Sequence, residues 1–179
     1  TIFTISHSIR DYLVLNGISQ NNIHIINMFV DTTRFKDLKK IENRKYIAYC
    51  GNVSCYKDGV DILIKAFAKF HKSHPEFKLE IYGRSVGDSI TDLKHLANQY
   101  DIVNDVIFTG MIPSNEIPQK LVNANILALA RPNNLQAQYG FPTKLGEYLM
   151  SGNPVVVTSV GEIPFFIKDR INGYLANPD

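Results

Sequence analysis

Lys144 and Glu147 stand three residues apart in the stretch Gly140-Phe141-Pro142-Thr143-Lys144-Leu145-Gly146-Glu147-Tyr148-Leu149-Met150-Ser151-Gly152. That spacing puts an ammonium and a carboxylate on one face of a helix. Pro142 suits the first helical position and Gly152 the stop, so both charges fall near a helix N-terminus. Unpaired backbone N–H groups there favour an anion. A cation with amide donors suits phosphate, and a carboxylate one turn on suits paired hydroxyls. Together they match the chemistry of a nucleotide sugar. The competing reading is a solvated surface pair, which carries little energy.

The elements around this segment alternate between strand and helix signals. Leu145, Tyr148 and Leu149 give its own helix an apolar stripe, and Val155–Thr158 reads as the strand after it. Earlier strands are expected at 46–49, closed by Gly51, at 78–82, ending at Gly83, at 106–108, ended by Thr109-Gly110, and at 126–130. Val60, Leu63, Ile64, Phe67 and Phe70 recur at helical spacing, and 90–99 is helical with Leu93, Leu96 and Ala97 inward. Ser114 is expected to cap a helix through Ala124, with Glu116 in its first turn. A short helix at 163–168 and a strand from Gly173 complete the series. Near-continuous apolar strands separated by helices imply a doubly wound parallel sheet, Rossmann-like, with ligands at the carboxyl ends of the strands.

Residues 1–45 stand outside that alternation. Thr1–Ser6 is strand-like, Ser6 or Ser8 can cap a helix through Leu15, and Ile23–Ile26 is extended. Asp31–Arg44 reads as a charged linker, with Lys36, Lys39, Lys40, Arg44 and Lys45 solvated.

Composition narrows the function classes. The 179 residues are 45% hydrophobic and 20% charged, which fits a globular domain rather than a disordered chain. A net charge of +2 with scattered lysines argues against nucleic acid. No apolar run approaches the ~20 residues of a membrane span, and no signal peptide is evident. Cys50 and Cys55 read as reduced thiols of a cytoplasmic protein. The five histidines lack the spacing of a metal pair. No Gly-x-Ser-x-Gly elbow supports a hydrolase.

An ordered set of segments carries a resemblance: Asn27–Asp31 before Phe35, Tyr49-Cys50-Gly51, Lys57–Phe67, Leu79–Gly83, Ile107–Gly110, Pro142–Val157, Gly161–Pro164 and Asn172–Leu175. Over essentially the whole chain, the sequence resembles the carboxyl-terminal, donor-binding domain of group 1 retaining glycosyltransferases of the GT-B fold. The resemblance divides the chain into a remnant of the amino-terminal domain and interdomain crossing (1–30), a linker (31–45) and a Rossmann-like donor domain (46–179) cut short at its C-terminal end. It implies transfer of a hexosyl group, with retention, from a UDP- or GDP-linked sugar to an acceptor glycan or lipid engaged by the missing domain. That domain would also supply any peripheral contact with the inner face of a membrane.

Carried over by position, the resemblance places Gly51, Asn52 and Lys57 under the donor phosphates, Gly83 beside the nucleotide and Met111 near the base. Thr143 and Lys144 meet the diphosphate, and Glu147 accepts from the ribose hydroxyls. Lys57 and Lys144 are the expected catalytic residues, neutralising the leaving diphosphate. No metal or cofactor is implied. Two departures stand out. Asn52 occupies the usual arginine position after the first glycine, and Tyr139 lies where the first of two paired glutamates is expected. A nucleotide-sugar epimerase of the same fold, and a non-catalytic nucleotide-binding or interaction module, are the alternative readings. Apolar residues among 1–20, including Ile2, Phe3, Ile9, Tyr12 and Leu15, are expected to fold back onto the domain or to drive self-association.

Overall fold

Six apolar runs pair in parallel to make one sheet in the computed structural model, which describes residues 1–41, 43–85 and 90–178. The strands are β3 (Tyr46–Cys50), β4 (Lys78–Tyr82), β5 (Val106–Gly110), β6 (Ile126–Leu129), β7 (Val155–Thr158) and β8 (Tyr174–Ala176), in the order β5-β4-β3-β6-β7-β8. All pairings are parallel. Central β3 is buried on both faces, with Tyr46, Ala48 and Tyr49 fully enclosed, while edge β8 is largely exposed. The chain runs outward from β3 to β5, then returns to β6 on the other side. Its switch point therefore opens a crevice beyond the carboxyl ends of β3 and β6, as in other doubly wound sheets.

Helices cover the sheet where the apolar spacing requires it. α3 (Val60–His71) buries Val60, Leu63, Ile64, Phe67 and Ala68, each large side chain contributing roughly 1.5–3 kcal/mol of apolar burial. It follows the short α2 (Cys55–Asp58), capped by Ser54, whose hydroxyl accepts from the Lys57 N–H at 3.2 Å. Gly59 joins the two helices in the left-handed region (φ 62°), and a Cβ there would overlap the Ala130 carbonyl oxygen. That close approach seats the α2–α3 junction on the end of β6. α4 (Ile90–Gln99) turns Leu93 and Ala97 inward as expected.

Three local expectations need correction. α5 spans Ile117–Asn123, and Ser114 does not cap it: Glu116 holds the cap position without a side-chain bond, and Pro118 opens the helix. α7 (Lys144–Met150) starts two residues after Pro142, which instead accepts the Leu145 N–H at 2.9 Å. Leu149 is exposed, so only Leu145 and Tyr148 of the predicted stripe enter the core. A seven-residue helix offers one narrow inward strip.

The charged linker is not wholly solvated. Arg44 pairs at 2.6 Å with the buried Glu80, Lys40 Nζ donates to the Ala124 carbonyl at 3.2 Å, and Phe35 is buried. Glu42 of that segment lies outside the described residues. His71 is only 14% exposed at its side chain and lies 3.3 Å from Asp105.

The N-terminal segment forms β1 (Ile2–Thr4), α1 (His7–Leu15) and β2 (Ile23–Ile25), with β1 and β2 in a separate parallel pair. It docks through the start of α1. The Ser6 hydroxyl donates to the Tyr139 carbonyl at 2.7 Å. The His7 N–H donates to Glu162 Oε1 at 2.9 Å, and His7 Nδ1 lies 2.8 Å from Glu162 Oε2. The His7 ring also stacks on Phe165 at 4.5 Å. Phe3 and Leu15 remain exposed (65% and 85%). Among the described residues no helix is long and apolar enough to cross a membrane.

Candidate functional site

Two glycines set the floor of the crevice. Gly51 follows β3 and Gly83 follows β4, and a Cβ on Gly83 would overlap the Gly51 carbonyl oxygen. The two backbones can meet only because Gly83 carries no side chain. A Cβ on Gly51 would lie 2.5 Å from Lys144 Nζ, so the lysine's charge rests directly on bare backbone.

Lys144 is delivered there by α7 and held by β3 and α2. Its Nζ donates to Asp58 Oδ2 at 2.7 Å and to the Tyr49 hydroxyl at 3.2 Å. Tyr49 Oη lies 2.9 Å from the same carboxylate oxygen. Arg131, just past β6, brings its Nε to 3.9 Å from Asp58 Oδ1. One carboxylate thus faces two cations. Burial lowers the Lys144 pKa, with Asp58 opposing it, and burial likewise lowers that of Arg131. The Tyr49 phenol is pushed well above its ordinary range by burial and then by Asp58.

The register of α7 on the sheet is fixed by Tyr148, whose buried hydroxyl accepts the Cys50 N–H at 2.8 Å. Cys50 itself has its thiol pushed up to about 11, first by burial and then by Glu147.

Glu147 does not pair with Lys144. Its Oε1 accepts from Arg34 Nη1, while Arg34 Nη2 donates to the Ser114 carbonyl at 2.5 Å. Arg34 lies on a 3₁₀ turn, Thr32–Phe35, capped by Asp31, whose carboxylate accepts the Thr33 N–H at 3.0 Å. Phe35 anchors the turn in the core. The hydrogen bonds from Thr33 hold the Asp31 carboxyl below its ordinary value.

These groups surround one cavity of about 590 Å³. All eight residues singled out in the sequence line it: Gly51, Asn52, Lys57, Gly83, Met111, Thr143, Lys144 and Glu147. Asn52, Lys57 and Thr143 are exposed, and Met111, 73% exposed, stands at the rim. The surface-pair reading of Lys144 and Glu147 fails, because each is committed to a different partner inside the cavity. The lining residues that sequence reasoning did not single out include Arg34, Asp58 and Arg131. Arg131 carried a usable signal, being a charge set directly after an apolar strand. Asp58 and Arg34 sat among other polar residues and carried none. Among the described residues no group of three or more His, Cys, Asp or Glu side chains could hold a metal ion.

The sequence model of glycosyl transferases group 1 matches residues 30–179. The chain belongs to that family. An uncharacterised glycosyltransferase of Methanocaldococcus jannaschii is 27% identical over 171 residues, covering 93% of this chain and 42% of the relative. HepE of Anabaena, solved in complex with UDP and glucose, superposes over 98% of this chain and 49% of its own, with a TM-score of 0.80 at 20% identity. The chain thus spans less than half the length of either. The carboxyl-terminal domain of a group 1 glycosyl transferase (LpcC) from Francisella tularensis is 26% identical, with a TM-score of 0.67 over 84% of this chain and 80% of that domain. The expected Rossmann-like half of a GT-B fold is therefore the fold observed.

Proposed function

We propose that the cavity is the donor site of a glycosyltransferase that moves a hexosyl group, with retention, from a nucleoside diphosphate to an acceptor glycan or lipid. The observation that carries this reading is the seat of Lys144 on the abutting Gly51 and Gly83 backbones. A phosphate can come close where no side chain covers the backbone, and the Lys144 ammonium supplies counter-charge at the same spot, while the Gly51 and Gly83 N–H groups are held by the Tyr82 and Gly110 carbonyls. HepE, similar in fold to this chain over about half of its length, is solved with UDP and glucose, which supports a nucleotide-sugar ligand.

In this reading Lys144 and Lys57 stabilise charge on the departing diphosphate, Thr143, Asn52 and Gly51 line its path, and Glu147 takes the ribose hydroxyls. Gly83 and Met111 bound the base. The acceptor is brought by surface beyond residues 1–179, so this chain alone binds donor and transfers nothing. The exposed Phe3 and Leu15 support self-association through residues 1–20, which sedimentation with and without that segment tests.

Calorimetric titration with UDP, GDP and ADP tests the donor site, and no binding to any of the three would sink it. Sugar transfer by the full-length protein separates a transferase from an epimerase or a non-catalytic binding module.

A further inference from the structure

Arg131 is a buried arginine that the donor-site roles above leave unused. Its side chain is 2% exposed, yet it lines the cavity beside Lys57, Asp58 and Lys144. Its contacts are weak for a buried guanidinium: Nε to the Lys57 carbonyl at 3.5 Å, Nη1 to that of Gly140 at 3.4 Å and Nη2 to that of Gln136 at 3.3 Å. Those bonds use three of its five N–H donors. Asp58 approaches only to 3.9 Å and gives its better oxygen to Lys144. The cluster is therefore short of negative charge: one carboxylate serves two cations, with Lys57 adjacent.

We propose that Arg131 is a third cation for the donor diphosphate, beside Lys57 and Lys144, supplying from the end of β6 the guanidinium that Asn52 cannot supply after β3. The inference rests on the donor-site reading above. A guanidinium can meet a phosphate with two parallel hydrogen bonds, and one hydrogen remains on each of Nη1 and Nη2 for such a pair. The position suits this. Gly59 lets the α2–α3 junction close onto the Ala130 carbonyl, and the Thr158 hydroxyl donates to the Arg131 carbonyl at 2.7 Å. The backbone at Arg131 is thus fixed from both sides. The rival account is purely structural, with Arg131 tying three loops by their carbonyls and never touching a ligand.

The two accounts differ in which phosphate they affect. In the full-length protein, dissociation constants for UDP, UMP and inorganic diphosphate are measured for the parent, Arg131→Gln and Arg131→Lys, with melting temperatures alongside. Arg131→Gln is expected to weaken UDP and inorganic diphosphate tenfold or more while UMP changes less than twofold. Arg131→Lys, which keeps charge but not the paired donors, is expected to lower the UDP preference over UMP about threefold. If the UDP-to-UMP ratio is unchanged in both variants, the proposal is overturned, whatever happens to the melting temperature. Should Arg131→Gln fail to fold, the ratio in Arg131→Lys decides alone. A parent that binds inorganic diphosphate but no nucleotide refutes the nucleotide reading and leaves Arg131 to be judged on diphosphate.

Discussion

Arg34 and Glu147, 113 residues apart in the chain, form an ion pair inside the cavity, and the same guanidinium also donates to the Ser114 carbonyl. Glu147 Oε1 is thereby committed, which leaves Oε2 to receive a ligand. Arg34 belongs to the segment leading into the sheet, so the approach to the domain and its ligand carboxylate are locked together.

Glu147→Ala is expected to weaken UDP binding by roughly 2–4 kcal/mol, the worth of two hydrogen bonds to a charged acceptor. With the 2′,3′-dideoxy nucleotide the variant and the parent should bind about equally. A large remaining difference would place the action of Glu147 elsewhere. Arg34→Met should give a smaller loss of about 1 kcal/mol, because it frees the carboxylate without removing it.

Gly83→Ala should both destabilise the fold and abolish nucleotide binding. Its Cβ would overlap the Gly51 carbonyl oxygen at a φ of 135°, which side chains rarely adopt. Strain of about 1–3 kcal/mol should appear in urea unfolding. Normal stability and normal affinity together would contradict the close approach.

Asp58→Asn should cost on the order of 3 kcal/mol, because it leaves Lys144 and Arg131 buried without their shared counter-charge. A bound diphosphate would restore the missing negative charge. Nucleotide should therefore raise the melting temperature of the variant by more degrees than it raises that of the parent. An equal rise in both would mean that the ligand does not reach these cations.

Cys50 gives a pH dependence with a defined sign. Its thiol is raised from 9.0 to about 11 in the folded chain, so the folded state resists ionisation that the unfolded state accepts. The contribution, about 2–3 kcal/mol, is fully present below pH 9 and is lost as pH rises through 11. Comparing urea stability of the parent and Cys50→Ala at pH 8 and pH 11 checks it: the gap between them should shrink at the higher pH. A constant gap would show that the thiol is unperturbed.

The sheet was legible because its strands are buried on both faces and written almost without polar interruption. Lys78–Tyr82, Ile90–Gln99 and Val155–Thr158 lie at the bounds that periodicity implies. The start of α7 was less legible, since Pro142 has the type of a first helical residue but lies before the cap. The eight site residues came from glycines at strand ends and from motif resemblance. Arg34, Asp58 and Arg131 were missed for a physical reason: their importance lies in long-range pairing. Asp58 meets Lys144 across 86 residues, and nothing near Asp58 in sequence announces a buried carboxylate.

Tyr139 and Gly140 offer adjacent carbonyls to two different partners. The first is gripped from outside by Ser6 at the head of α1, the second from inside by Arg131. The two carbonyls belong to consecutive peptide units that share the Gly140 Cα, so the docking of the outer helix and the seat of the cation beneath the cavity meet at one residue.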